Sequence, residues 1–176
     1  MDYISLPDST PTGSMTRRFI ASNLGRVFDP LELATPITIL PKLIFQKTWE
    51  TEIGWDDDVG AIPRKLFNYW LGSLKQLGGL EVPRQVTFFD EKNVTGKNAK
   101  VQLHVFCDAS EVAYDFAIFA RTHMQGRVRS FLLTAKSRLA PRKIETLPRL
   151  ELCAMKIASK AVKMTLEVVQ KINLAT

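Results

Sequence analysis

The stretch KVQLHVFCDASEVAYDFAIFAR, residues 100–121, decides the fold class of this chain. Val101, Leu103, Val105 and Cys107 alternate with Gln102, His104 and Phe106. A period of two marks a strand with one covered face. The run ends on Asp108, with only the small Ala109 and Ser110 beside it. After Glu111 a second apolar run extends from Tyr114 to Arg121. Asp and Ser start turns by bonding their own backbone. A carboxylate at a strand tip beside small residues also suits a metal ion. The stretch alone leaves both readings of Asp108 open.

Downstream, His123-Met124-Gln125-Gly126 reads as a hairpin loop and Val128–Ala135 as a third strand. The expectation is a three-stranded antiparallel meander. A long helix should follow from about Pro148 to Gln170. At 100° per residue, Ala154, Ile157, Ala161, Met164 and Val168 share the face of Leu150. Arg149, Lys156, Lys160, Lys163 and Glu167 fall on the solvent side. Glu151 stands about 100° from Leu150, at the shoulder of the buried stripe and away from the lysines. Periodicity alone favours an ordinary rim residue there.

Upstream, the period changes to that of helices. Arg17–Val27 places Phe19, Ile20, Leu24 and Val27 at helical spacing. Pro36 or Pro41 should open a second helix that runs to Trp49, and Pro63 a third that stops at Gly78-Gly79. Asp56-Asp57-Asp58 lies between helices, where Asp caps a following N-terminus, and capping is favoured over metal binding. The turn-rich stretch Val82–Lys100 marks a boundary. The class is therefore α+β: residues 1–16 a disordered lead-in, 17–95 helical, and 96–176 three antiparallel strands plus one long helix. A sheet of three strands leaves an edge strand open, which is an aggregation hazard.

With 176 residues, 45% of them hydrophobic, the chain can bury one good core or two small ones. No apolar run is long enough to span a membrane, and the acidic, polar MDYISLPDSTPTGS argues against a secretory signal. Two cysteines, Cys107 and Cys153, cannot build a disulfide framework and read as buried thiols in a reducing, cytoplasmic or nuclear setting. His104 and His123 have no CxxC or HxxxH partners for zinc. Charge is uneven: residues 1–95 hold 10 Lys/Arg against 12 Asp/Glu, residues 96–176 hold 14 against 6. The excess concentrates in Arg121, Arg127, Arg129, Lys136, Arg138, Arg142, Lys143 and Arg149, with only Glu145 opposing. Such one-sided charge suits a polyanion as well as a solvated surface.

An Asp ending the first of three antiparallel strands, then a helix with an early Glu, resembles the ribonuclease H fold. The local text narrows this. LHVFCDASEVAY, LLTAKSRLAP and LPRLELCAM are similar to the ribonuclease H region of Bel/Pao-type LTR retrotransposon pol polyproteins. SNLGRVFDPLELATPITILPKLIFQKTW and GWDDD resemble the reverse transcriptase thumb/connection segment of the same elements. The resemblance spans about residues 17–171. It implies RNA-directed DNA synthesis by the parent protein, with cleavage of RNA in RNA–DNA hybrids by two Mg²⁺ ions. It makes Asp108 and Glu151 the first catalytic and metal-binding acids. Arg127, Arg129, Lys136, Arg138, Arg142 and Lys143 become candidates for hybrid contacts. Expected partners are the hybrid and the remainder of the pol polyprotein, with no membrane.

Departures set a limit. The family's next metal-binding Asp lies on a fourth strand, and the sequence ends at KINLAT, where that strand should begin. Asp115 and Glu32 stand where the family usually has glycine, and Asp115 is not read as a substitute ligand. No YxDD polymerase pair, protease DTG/DSG or integrase HHCC finger occurs. The expectation is a pol fragment inactive by itself; the alternative is a non-catalytic nucleic-acid-binding remnant using residues 121–149. An actin-like ATP-binding fold lacks its glycine-rich phosphate loops here.

Overall fold

A computed structural model describes residues 2–3, 14–27, 29–76, 81–82, 100–124, 127–143 and 145–174. The chain divides into two compact units, one of Met1–Pro30 with Ala34–Arg84 and the other of Leu31–Leu33 with Gln85–Thr176.

The first unit is helical. Helix α1 spans Arg17–Arg26, α2 Thr35–Thr48 and α3 Ala61–Gln76. Thr16 caps α1 by accepting from the Phe19 N–H at 3.1 Å. Pro36 occupies the tolerated first turn of α2, while Pro41 sits inside the helix. Met15, Ile20, Ile44, Val59, Phe67, Trp70, Leu71 and Leu74 form the core. The buried Trp70 donates from Nε1 to the Ile37 carbonyl at 3.0 Å, so its one polar atom is satisfied. Arg17 is buried as well and reaches the end of α2, bonding Thr48 Oγ1 and the carbonyls of Thr48, Thr51 and Ile53. Those carbonyls belong to the helix end and the turn after it, where no helical donor reaches them. Asp2–Tyr3 (β1) pairs antiparallel with Glu81–Val82 (β2), so part of the expected structureless lead-in is paired. Residues 4–13 lie outside the described residues.

Each aspartate of the 56–58 run has its own task. Arg18 donates to both Asp56 carboxylate oxygens, at 2.7 and 3.0 Å, which lowers the Asp56 pKa and raises that of Arg18. Asp57 accepts from the Gly54 N–H at 2.6 Å. Asp58 accepts from the Gly60 N–H, just ahead of α3, and then from Arg64, and both hold its pKa down. Gly60 has φ +84°, a conformation open to glycine. Asp58 thus braces the turn ahead of α3 and pairs with Arg64 in its first turn, rather than capping a helical N–H as the sequence suggested.

The second unit is α+β, as the sequence implies. Strands β3 (Lys100–Ala109), β4 (Ala113–Met124) and β5 (Arg127–Leu139) form an antiparallel sheet in that order, covered by α4 (Leu147–Leu174). His123 and Met124 belong to β4 rather than to a loop, and Gln125–Gly126 lie outside the described residues. Phe116, Ile118 and Ala120 of the central strand, with Leu150, Ala154 and Ala158 of α4, are buried. Leu103, Leu133, Ile157, Ala161 and Val162 pack against them. Arg149, Lys156, Lys160, Lys163 and Glu167 are exposed as expected.

Two sequence readings need correction. Cys107 is exposed and Cys153 half-buried, both as free thiols. β3 is an edge strand, and α4 covers its Leu103 but leaves Val105 and Cys107 in solvent. Met164 and Val168 are exposed at 68% and 56%, although they continue the Leu150 stripe. With three strands beneath the helix, the packed cluster ends at Val162.

The outer edges of the sheet differ. Leu31–Leu33 lies along β5: the Leu31 carbonyl accepts from the Ala135 N–H at 3.0 Å and from Thr134 Oγ1 at 3.1 Å. Lys136 pairs with Glu32 at 2.5 Å. Glu32 has φ +51°, in the left-handed region that favours glycine. No described strand pairs with the outer edge of β3. Among the described residues no helix is long and apolar enough to cross a membrane.

Candidate metal centre and basic face

Asp108 sits one residue from the end of β3, and the turn reading of it applies. Its Oδ1 accepts from the Ala109 N–H at 2.8 Å. Ser110 then closes the turn: its N–H donates to the Ala113 carbonyl at 2.8 Å and its Oγ accepts from the Ala113 N–H at 3.2 Å. The carboxylate is still exposed.

Ladder register supplies its neighbours. Asp108 is opposite Asp115, and Asp115 is opposite Ser137. The next row, Cys107–Phe116–Lys136, belongs to the face packed by α4. Side chains alternate between faces along a strand, so the Asp108–Asp115–Ser137 row lies on the other face. Burial of Asp115, and then the negative charge of Asp108, raise the Asp115 pKa above the ordinary carboxyl range. Ser137 is 5% exposed, and its Oγ has no hydrogen-bond partner among the described residues.

A raised acid pKa means that the folded state holds the proton more tightly than the unfolded chain. Stability therefore falls as pH rises from the ordinary carboxyl range through the raised value. Asp115→Asn should stabilise the protein at pH 7 by a few tenths to about 1 kcal/mol, the scale of a facing like-charge pair. The gain should vanish below the carboxyl range. Urea unfolding at pH 3 and pH 7 checks this, and an equal effect at both would contradict it.

Glu151 lies in the second turn of α4, exposed beside the buried Leu150. Among the described residues no three His, Cys, Asp or Glu side chains gather around a common point. The structure therefore brings Asp108 to Asp115 and does not assemble Asp108, Asp115 and Glu151 into one cluster. Two magnesium ions need several carboxylate oxygens at once. The described residues do not fit a two-ion centre.

Asp115 is the residue that sequence reasoning set aside. A usable signal was present: a turn centred on Glu111–Val112 sets residues equidistant from it opposite one another, and Asp108 and Asp115 are equidistant.

The basic candidates separate. Register puts Arg129 opposite Thr122 and Arg138 opposite Tyr114, on the α4 side of the sheet, and both are exposed. Arg142 and Lys143 are exposed in the β5–α4 connection. Lys136 is occupied by Glu32, and Arg149 pairs with Glu145 at 3.0 Å. The side chain of Arg127 lies outside the described residues.

No curated protein and no solved structure matches this chain. The model of one family, the Pao retrotransposon-like RNaseH-like domain, matches residues 16–176. With that match over nearly the whole sequence, and with the strands and helix the fold requires, the chain belongs to the Pao retrotransposon-like RNaseH-like domain family.

Proposed function

We propose that this chain is a piece of a Bel/Pao pol polyprotein that binds RNA–DNA hybrid but does not by itself cleave it. The family match across residues 16–176 is the observation that carries this reading. In the parent polyprotein, DNA synthesis on an RNA template would be coupled to hydrolysis of the RNA strand, with Mg²⁺ as the metal. Asp108 and Glu151 are the candidate ligands. Expected partners are the hybrid and the rest of the polyprotein, in cytoplasm or nucleus.

Incubation with a labelled RNA–DNA hybrid and Mg²⁺ should yield no cleavage above a protein-free control. Robust cleavage that disappears in Asp108→Asn would overturn the inactive reading.

Hybrid affinity should fall linearly with the logarithm of salt concentration, with a slope of about −0.9 per phosphate neutralised on a duplex. Arg129→Ala and Arg138→Ala should each reduce that slope by about 1. Lys136→Ala should change it less, because Glu32 already neutralises Lys136. A slope near zero would remove nucleic-acid binding from the account.

A further inference from the structure

We propose that the outer face of α4, turned away from the sheet, docks an acidic amphipathic helix of another polypeptide. Leu152, Met155, Ser159, Val162 and Leu166 recur at alternating spacings of three and four residues. That repeat draws one seam along a helix, with the spacing of coiled-coil contacts. At 100° per residue, Leu152, Met155 and Leu166 stand about 140–200° from Leu150, which is buried against the sheet. They are 64%, 56% and 43% exposed. Val162, at the edge of the seam, also packs on the sheet cluster. A helix on a sheet needs one apolar stripe and is polar opposite to it. α4 carries a second stripe, which contributes nothing to its packing on the strands.

Charge beside the seam selects the occupant. Lys156 and Lys163 directly follow the seam residues Met155 and Val162. In paired helices that position forms ion pairs across the interface. Lys156, Lys160 and Lys163 are exposed, and none has an acidic partner among the described residues. Glu167 is the one acid on that flank. An acidic helix supplies the missing carboxylates and covers Leu152, Met155 and Leu166 at the same time. A second copy of this chain matches less well. Laid antiparallel, it would set the lysines of the two seams against each other; laid parallel, its other flank would offer Glu151 to Lys156 but Ala158 to Lys163. A phosphate backbone would answer the lysines and leave the exposed apolar side chains in water. The docking face uses neither Asp108 nor the arginines of the sheet, so it stands apart from the proposed hybrid contacts.

The test titrates a synthetic helical peptide, about four heptads long with leucine at the seam positions and glutamate on both flanks, into the ¹⁵N-labelled full chain. Amide shifts concentrated between Leu152 and Leu166 are expected. A matched peptide with lysine in place of glutamate should bind at least about tenfold more weakly. Lys156→Glu combined with Lys163→Glu should reverse that order, a readout that a merely structural role would not move. Leu152→Ser combined with Leu166→Ser should abolish binding of the glutamate peptide. All four positions are exposed, so amide dispersion should be kept in both variants. No shifts on α4, equal binding of the two peptides, or an unchanged order in the lysine-to-glutamate variant would each overturn the inference. Two further results would also overturn it. Concentration-dependent broadening of α4 without peptide would make the face a self-association surface. RNA–DNA hybrid that shifts Lys156, Lys160 and Lys163 and displaces the peptide would assign the row to nucleic acid.

Discussion

Replacing Arg17 with methionine is expected to destabilise the helical unit by about 3–5 kcal/mol. Arg17 is 4% exposed. Its Nε donates to Thr48 Oγ1 at 3.3 Å and its Nη2 to the Thr48 and Thr51 carbonyls at 2.5 and 2.9 Å. Nη1 donates to the Ile53 carbonyl, and the Arg17 Cζ lies 4.2 Å from the Trp49 ring centroid. One side chain thus satisfies the C-terminal end of α2 and ties the following turn to α1. The negative end of the α2 dipole adds to the attraction. Methionine keeps most of the volume and none of the donors, so the Thr51 and Ile53 carbonyls would lose their Arg17 donor, while the Thr48 carbonyl keeps only Thr51 Oγ1 at 2.8 Å and the Thr51 N–H at 3.4 Å. All three tryptophans, Trp49, Trp55 and Trp70, fall in residues 1–84, so tryptophan fluorescence in urea reports on this unit. A loss under about 1 kcal/mol would show that water reaches those carbonyls.

In the second unit, Ile118→Ala should cost about 3–4 kcal/mol. Ile118 is fully buried at the middle of the central strand, in one cluster with Phe116 and Ala158. Neighbours on three elements would have to move inward together to fill the space: Leu103 on β3, Leu133 on β5 and Ile157 on α4. Backbone pairing on both sides of β4 resists that collapse, so most of the cavity should persist. Amide exchange at Phe116–Ala120 should accelerate by about two orders of magnitude or more, since about 1.4 kcal/mol is a factor of ten. Unchanged protection there would mean that the core repacks.

Much of the architecture was legible because it follows from local period. The alternation of Val101, Leu103 and Val105 places β3 within a residue, and the helical spacing around Leu150 places the start of α4 within a residue, although α4 runs on past Gln170 to Leu174. What stayed hidden depends on partners far along the chain. Nothing in RRFIASNLGRV distinguishes Arg17, buried on acceptors 31 to 36 residues away, from Arg18, exposed on Asp56. Cys107 alternates like a core residue and is exposed, because period shows which face is apolar but not how far a cover extends. Met164 and Val168 mislead for the same reason. At the site, the family text led to Asp108 and Glu151, whereas the opposition of Asp108 and Asp115 required strand register.

The short segment along β5 has a consequence for the order of events during synthesis. Leu31 and Thr134, which bond each other, are separated by 103 residues. At about 5–20 residues per second, the ribosome makes the second partner roughly 5–20 s after the first. The helical unit, whose core lies between Met15 and Leu74, has all its own side chains well before then. Leu31–Leu33 must therefore wait without its β5 partners until the second unit is made. The same separation warns against cutting the protein at Arg84: a piece beginning at Gln85 would lack the three residues that line β5 and would leave that edge of the sheet open.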